Sequence, residues 1–252
     1  MKDLIIFGDS FAAEFKETLI VEFLKNNKKN VLEQHNALIS YHSLLRNSNK
    51  FNSVTSYGIE GDDLWHQFKK FQEVYTGEEL VVLFETGPNR LTSPEGIPCT
   101  NYNTVTHLQE LALKFKDAFT KDLYAVADRR LKVYSAAAEY FLYLQRDDFD
   151  KFVHNAIIEE MKRINPNILI IPCFKSCKTY NNMSLVDITN FEFKPGKAST
   201  EVFDLRRNHL TEENHQVLAN QIIKYFTDNT PVNFDEFIKT PNTNVSKYFT
   251  KL

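Results

Sequence analysis

The sequence predicts an α/β protein built on a parallel sheet, and three apolar runs carry that prediction. Leu4-Ile5-Ile6-Phe7, Leu80-Val81-Val82-Leu83-Phe84 and Ile168-Leu169-Ile170-Ile171 show no polar alternation. Strands buried on both faces read this way, because neither face meets water. Helical stretches separate the runs, and strands alternating with helices imply right-handed crossovers and helices on both sides of the sheet.

Taken in order, the first strand is followed by a helical face of Phe15, Leu19, Ile20, Phe23 and Leu24, between Ala12 and about Lys25. A second, less regular helix spans roughly Val31 to Arg46. Ser53 to Tyr57 reads as a short strand ending at Gly58, after which Asp62 or Asp63 caps a helix carrying Leu64, Trp65, Phe68 and Phe71. The Leu80–Phe84 run enters Glu85-Thr86-Gly87-Pro88-Asn89. A long helical region, about 105–163, breaks near Gln145 to Asp150 and is stopped by Pro166 before the Ile168 strand. Thr179 to Asn208 reads as irregular. Thr211 opens the last helix, with Val217, Leu218, Ile222 and Ile223 facing inward. The expected organisation is one domain over 1–230 with a helical insert, and an extension over 231–252 that wraps the surface.

Bulk properties exclude several classes. Of 252 residues, 30 are Lys or Arg and 33 Asp or Glu, a net charge of −3 with no dense basic block. Nucleic-acid binding is therefore not expected. No apolar stretch reaches the roughly 20 residues that span a bilayer, and no secretory leader is read before Ser10. A cytoplasmic location follows as the expectation. Cys99, Cys173 and Cys177 fit neither a disulfide framework nor a zinc ribbon and read as buried thiols. The many Lys, Asn, Phe and Tyr residues suggest a low-GC microbial or viral source. No His/Asp/Glu cluster has metal-ligand spacing. Gly8-Asp9-Ser10-Phe11-Ala12-Ala13 lacks the Gly-x-Gly-x-x-Gly fingerprint, so neither metal nor cofactor is expected. The oligomeric state is not legible.

The chemistry concentrates at strand ends. A small residue after a buried strand lets the chain turn sharply, and open α/β sheets bind ligands beyond the carboxyl ends of their strands. Ser10 follows the first strand, Gly58 the second, and Asn89 the third, so all three loops rise on one edge. A serine there becomes a nucleophile when a base and oxyanion donors join it. The N–H groups of Ser10 and Gly58 and the Asn89 amide supply three donors. His209, in the loop ahead of the Thr211 helix, is placed to be the base. His215 is its competitor, expected to be exposed on the last helix. His35, His42, His66, His107 and His154 read as surface or core residues. Asp9 is expected to hold the turn by backbone hydrogen bonds and Gly61 to serve another turn. Tyr134, Tyr140, Phe141 and Tyr143 read as the core of the insert.

Gly8-Asp9-Ser10, Gly58, Gly87-x-Asn89 and the late His209 stand in the order of the SGNH hydrolases, also called GDSL esterases and lipases, and the chain resembles that family from residue 8 to 209. The resemblance implies a flavodoxin-like three-layer α/β/α fold, with Ser10 as nucleophile, His209 as base, and Ser10, Gly58 and Asn89 as the oxyanion hole. It departs from the family at one place. The acid expected three residues before the histidine is Arg206, and Asp204 is the nearest upstream carboxylate. Either Asp204 orients His209, or a backbone carbonyl does and the site is a Ser-His dyad. The expected activity is hydrolysis of a carboxylic ester, such as an O-acetyl group on a saccharide, through an acyl-enzyme on Ser10, with the insert walling the cleft. Its rivals are a non-catalytic module that binds a glycan or protein, and an acyltransferase using the same serine.

Overall fold

The computed structural model describes residues 1–13, 40–59, 61–94, 96–101, 105–106, 109–110, 121–177, 184–185, 210 and 212–238. Four parallel strands form its sheet: β1 (Leu4–Phe7), β2 (Val54–Ser56), β3 (Leu80–Glu85) and, later in the chain, β6 (Leu169–Pro172), in the order β2-β1-β3-β6. Leu4 lies opposite Val54 on one side and Leu80 on the other, and Val82 opposite Leu169. A two-stranded antiparallel hairpin, β4 (Leu91–Thr92) with β5 (Pro98–Cys99), stands apart from this sheet. No apolar run or alternation in this part of the sequence predicts it.

Because successive strand residues point to opposite faces, the apolar runs divide between two cores. Leu4, Ile6, Val82, Phe84, Leu169 and Ile171 face helix α1 (Tyr41–Asn47) and helix α5 (Glu212–Asp228), packing with Tyr41, Leu45, Leu218 and Ile222. Ile5, Phe7, Val81, Leu83 and Ile170 face helix α2 (Leu64–Val74) and helix α4 (Asp147–Ile164), meeting Phe68, Phe71, Ile157 and Met161. The absence of alternation in these strands thus has the expected cause. Helices cover both faces.

Helix α3 (Lys121–Tyr143) precedes α4, and the break between them falls at residues 144–146, overlapping the start of the expected Gln145–Asp150 interval. Tyr134 is buried there and Phe141 packs beside it, but Tyr143 is 75% exposed, contrary to its reading as core. Asp63, rather than Asp62, is the N-cap of α2 and accepts from the His66 amide at 2.7 Å. A continuous helix from Val31 to Arg46 is not formed: Ser40 has extended backbone and opens α1 at Tyr41 through a reciprocal Ser40–Ser43 capping box. The expected helix from Ala12 lies beyond residue 13 outside the described residues, as do nearly all of 179–209. Residues 232–238 lie on α5, held by Asn214 to Ile238 and Gln221 to Asn233. Among the described residues no helix is long and apolar enough to cross a membrane.

Candidate active site

Gly8 directly follows β1 with φ of +148°, a conformation open to glycine at little cost. A Cβ there would lie 2.6 Å from Phe84 Cβ and 2.8 Å from Ala12 Cβ. The chain therefore turns over the end of β3, and Ser10 stands half-buried at the top of the turn. Asp9 organises it from below. Its carbonyl accepts from the Ala12 and Ala13 N–H groups at 2.9 Å, and its Oδ1 accepts from the Phe11 N–H at 3.1 Å. This is the backbone-holding role read from the sequence.

Helix α1 fixes the far side of the same turn. The Tyr41 hydroxyl donates to the Phe11 carbonyl at 2.8 Å, and His42 Nε2 lies 3.0 Å from the Ala12 carbonyl. The Ser56 hydroxyl, at the end of β2, donates to that Ala12 carbonyl at 2.6 Å. These three side chains lie within hydrogen-bond distance of backbone oxygens of the buried turn.

The Gly58 loop packs directly on the turn. A Cβ at Gly58 would overlap the backbone of Ala12 and Ala13 and lie 2.6 Å from Ala12 Cβ. Ile59 N–H donates to the Gly8 carbonyl at 3.1 Å. The Gly58 N–H itself, expected to be an oxyanion donor, donates to Ser56 Oγ at 3.1 Å. Asn89 sits on the loop after β3, where its Nδ2 donates to Asp147 Oδ1, at the first position of α4, at 3.1 Å. That amide nitrogen carries a second hydrogen.

Arg90 joins the third loop to the first. Its Nη1 lies 2.7 Å from Asp9 Oδ2, and its guanidinium carbon stands 4.5 Å from the centre of the Phe174 ring. Burial pushes the Asp9 carboxyl above the ordinary aspartate range, and the adjacent Arg90 charge opposes that rise. Beneath the pair, burial lifts the Cys173 thiol well above its usual range and the Cys177 thiol to about 12. Both are protonated at neutral pH and poor nucleophiles. Neither thiol therefore competes with Ser10 as a nucleophile at this edge.

His209, Asp204 and Arg206 lie outside the described residues, as do His35 and His107. His215 is buried, not exposed: it is 2% accessible, and its Nδ1 accepts from the Tyr41 N–H at 3.4 Å. Helix amphipathicity missed this because α1 covers that side of α5. His66 and His154 each meet a carboxylate, which the sequence reading did not anticipate. His66 Nδ1 lies 2.9 Å from Asp62 Oδ1, and Asp62 also accepts from Thr92 Oγ1 at 2.8 Å. This second contact ties the start of α2 to the hairpin. His154 Nε2 lies 3.0 Å from Glu85 Oε1, with both side chains buried. The one available signal was a carboxylate at the end of an apolar strand. Removing one partner of a buried hydrogen bond costs about 1–3 kcal/mol, so His154→Ala should lower the unfolding free energy by that amount in a denaturant titration. An unfolding free energy within about 0.5 kcal/mol of the parent, the scale of a surface substitution, would show the pair to be dispensable.

Among the described residues no group of three or more His, Cys, Asp or Glu side chains is placed to hold a metal ion. No protein-family model, curated protein or solved structure matches this chain.

Proposed function

We propose that the protein is a serine esterase of the SGNH type, with Ser10 as nucleophile. The observation that supports this reading best is the convergence of three loops at one sheet edge. Gly58 rests on the Ser10 turn, Arg90 bonds to Asp9, and Asn89 precedes Arg90 in the chain. The strand order β2-β1-β3-β6, with α4 packed on the sheet between β3 and β6, is compatible with a flavodoxin-like sandwich in which α3 belongs to the insert.

In this mechanism His209 takes the Ser10 proton as Oγ attacks the ester carbonyl, and then gives it to the departing alkoxide. The Ser10 N–H and the second Asn89 Nδ2 hydrogen receive the developing oxyanion. The Gly58 N–H joins them by exchanging Ser56 Oγ for that oxygen. Water then resolves the acyl-enzyme, using His209 as base. The substrate is a small-molecule or saccharide ester, an O-acetyl sugar being the preferred candidate. Steady hydrolysis of p-nitrophenyl acetate that depends on the Ser10 hydroxyl tests the reading. Its absence leaves the binding-module alternative, and acceleration of product release by added alcohols identifies an acyltransferase.

Asp204 is assigned as the carboxylate that orients His209. Loss of an orienting carboxylate lowers kcat by about 10⁴ in triads, so Asp204→Asn should reduce esterase turnover by that order. A rate within threefold of the parent would assign a dyad instead.

A further inference from the structure

Arg90 has no role in the acyl-transfer mechanism above, yet it makes the only ion pair between the loops of that site among the described residues. Asp9 is fully buried and the Arg90 side chain is 14% accessible. Burying two charges is costly unless their geometry is fixed and each is well bonded. Here it is fixed on both sides. Phe174 supports the guanidinium face and also meets Phe11 edge-on at 6.1 Å. Asp9 gives one oxygen to Arg90 and the other to the Phe11 N–H, while its carbonyl takes the Ala12 and Ala13 amides. Ser10 thus lies between residues all tied to Asp9, and Asp9 is tied to the residue after Asn89.

We propose that Arg90 is a positioning residue for Ser10, its ion pair with Asp9 setting the separation between the nucleophile turn and the Asn89 amide. This rests on the esterase reading. Oxyanion donors act only within about 2.7–3.1 Å of the developing charge, and a displacement of about 1 Å can cost about 100-fold in rate. The tie acts on the transition-state geometry, so its loss should fall on kcat and leave KM nearly unchanged.

The test uses the full chain carrying Arg90→Met, Arg90→Lys, Asp9→Asn and the Asp9→Asn/Arg90→Met double substitution. Turnover of p-nitrophenyl acetate, fluorophosphonate labelling of Ser10 and thermal melting are measured for each. Arg90→Met should lose about 100-fold in kcat with KM within about threefold. Arg90→Lys, which restores the charge beside Asp9, should recover to within about tenfold of the parent. The double variant should be no slower than the slower single one, because the pair works as one unit. A folded Arg90→Met protein turning over within threefold of the parent overturns the proposal. So do losses that multiply in the double variant, or a melting drop with unchanged labelling, since each marks a purely structural pair. If Arg90→Met does not fold, a parental rate in Asp9→Asn overturns it equally. A parent chain that neither turns over nor labels at Ser10 would instead defeat the esterase reading itself.

Discussion

Ser10→Ala is expected to remove esterase turnover by about a million-fold while leaving the fold and its melting temperature essentially unchanged. Loss of a serine nucleophile has that scale because base and orienting acid do nothing without it. The fold should survive because the turn is held by other groups. Asp9 binds the Phe11, Ala12 and Ala13 amides, and Tyr41, His42 and Ser56 bind the Phe11 and Ala12 carbonyls. Side-by-side p-nitrophenyl acetate assays and thermal melts of the two proteins check both halves. Residual turnover within tenfold of the parent would assign the chemistry to another residue.

Gly58→Ala carries the second large effect, and its cause is steric. The added methyl would overlap the Ala12–Ala13 backbone, and the loop cannot retreat. Tyr57 N–H is bonded to the Ile6 carbonyl at 2.8 Å, and Ile59 N–H to the Gly8 carbonyl at 3.1 Å. The turn bearing Ser10 must move instead. Overpacking of this kind costs about 1–3 kcal/mol, and a shift of about 1 Å in the nucleophile costs about 100-fold in rate. Gly87→Ala is the matched control. A Cβ there meets only Ser176 Oγ, at 3.7 Å, an ordinary contact. Denaturant melts and kcat for both variants check the contrast, which fails if they behave alike.

How much of this was legible in the sequence depends on whether the signal was local. β1, β3 and β6 stood out because burial on both faces demands an unbroken apolar run, and the start of α2 because Asp63 caps it. The meeting of the Ser10, Gly58 and Asn89 loops followed from a parallel sheet with their strands side by side. The hairpin escaped notice because its strands are two residues each and pair Leu91 with Cys99, too short for any periodicity. Helix α1 was started too early because its boundary is a Ser-x-x-Ser box amid weakly periodic residues. His215 was misplaced because its burial is supplied by Tyr41, 174 residues away in the chain. The Asp9–Arg90 and Glu85–His154 pairs span 81 and 69 residues, and no local pattern announces either. The amide partners of the oxyanion candidates were equally invisible. That Gly58 donates to Ser56, and Asn89 to Asp147, depends on side-chain packing at the rim rather than on strand order.

Everything in the mechanism depends on whether Ser10 is activated, and covalent labelling reads that without knowledge of the natural ester. The protein should be treated with a fluorophosphonate probe, digested and mapped. Modification on the single peptide containing Gly8-Asp9-Ser10, lost in Ser10→Ala and strongly slowed in His209→Ala, is the predicted result. No labelling of the folded chain, or labelling at any other residue, would contradict it.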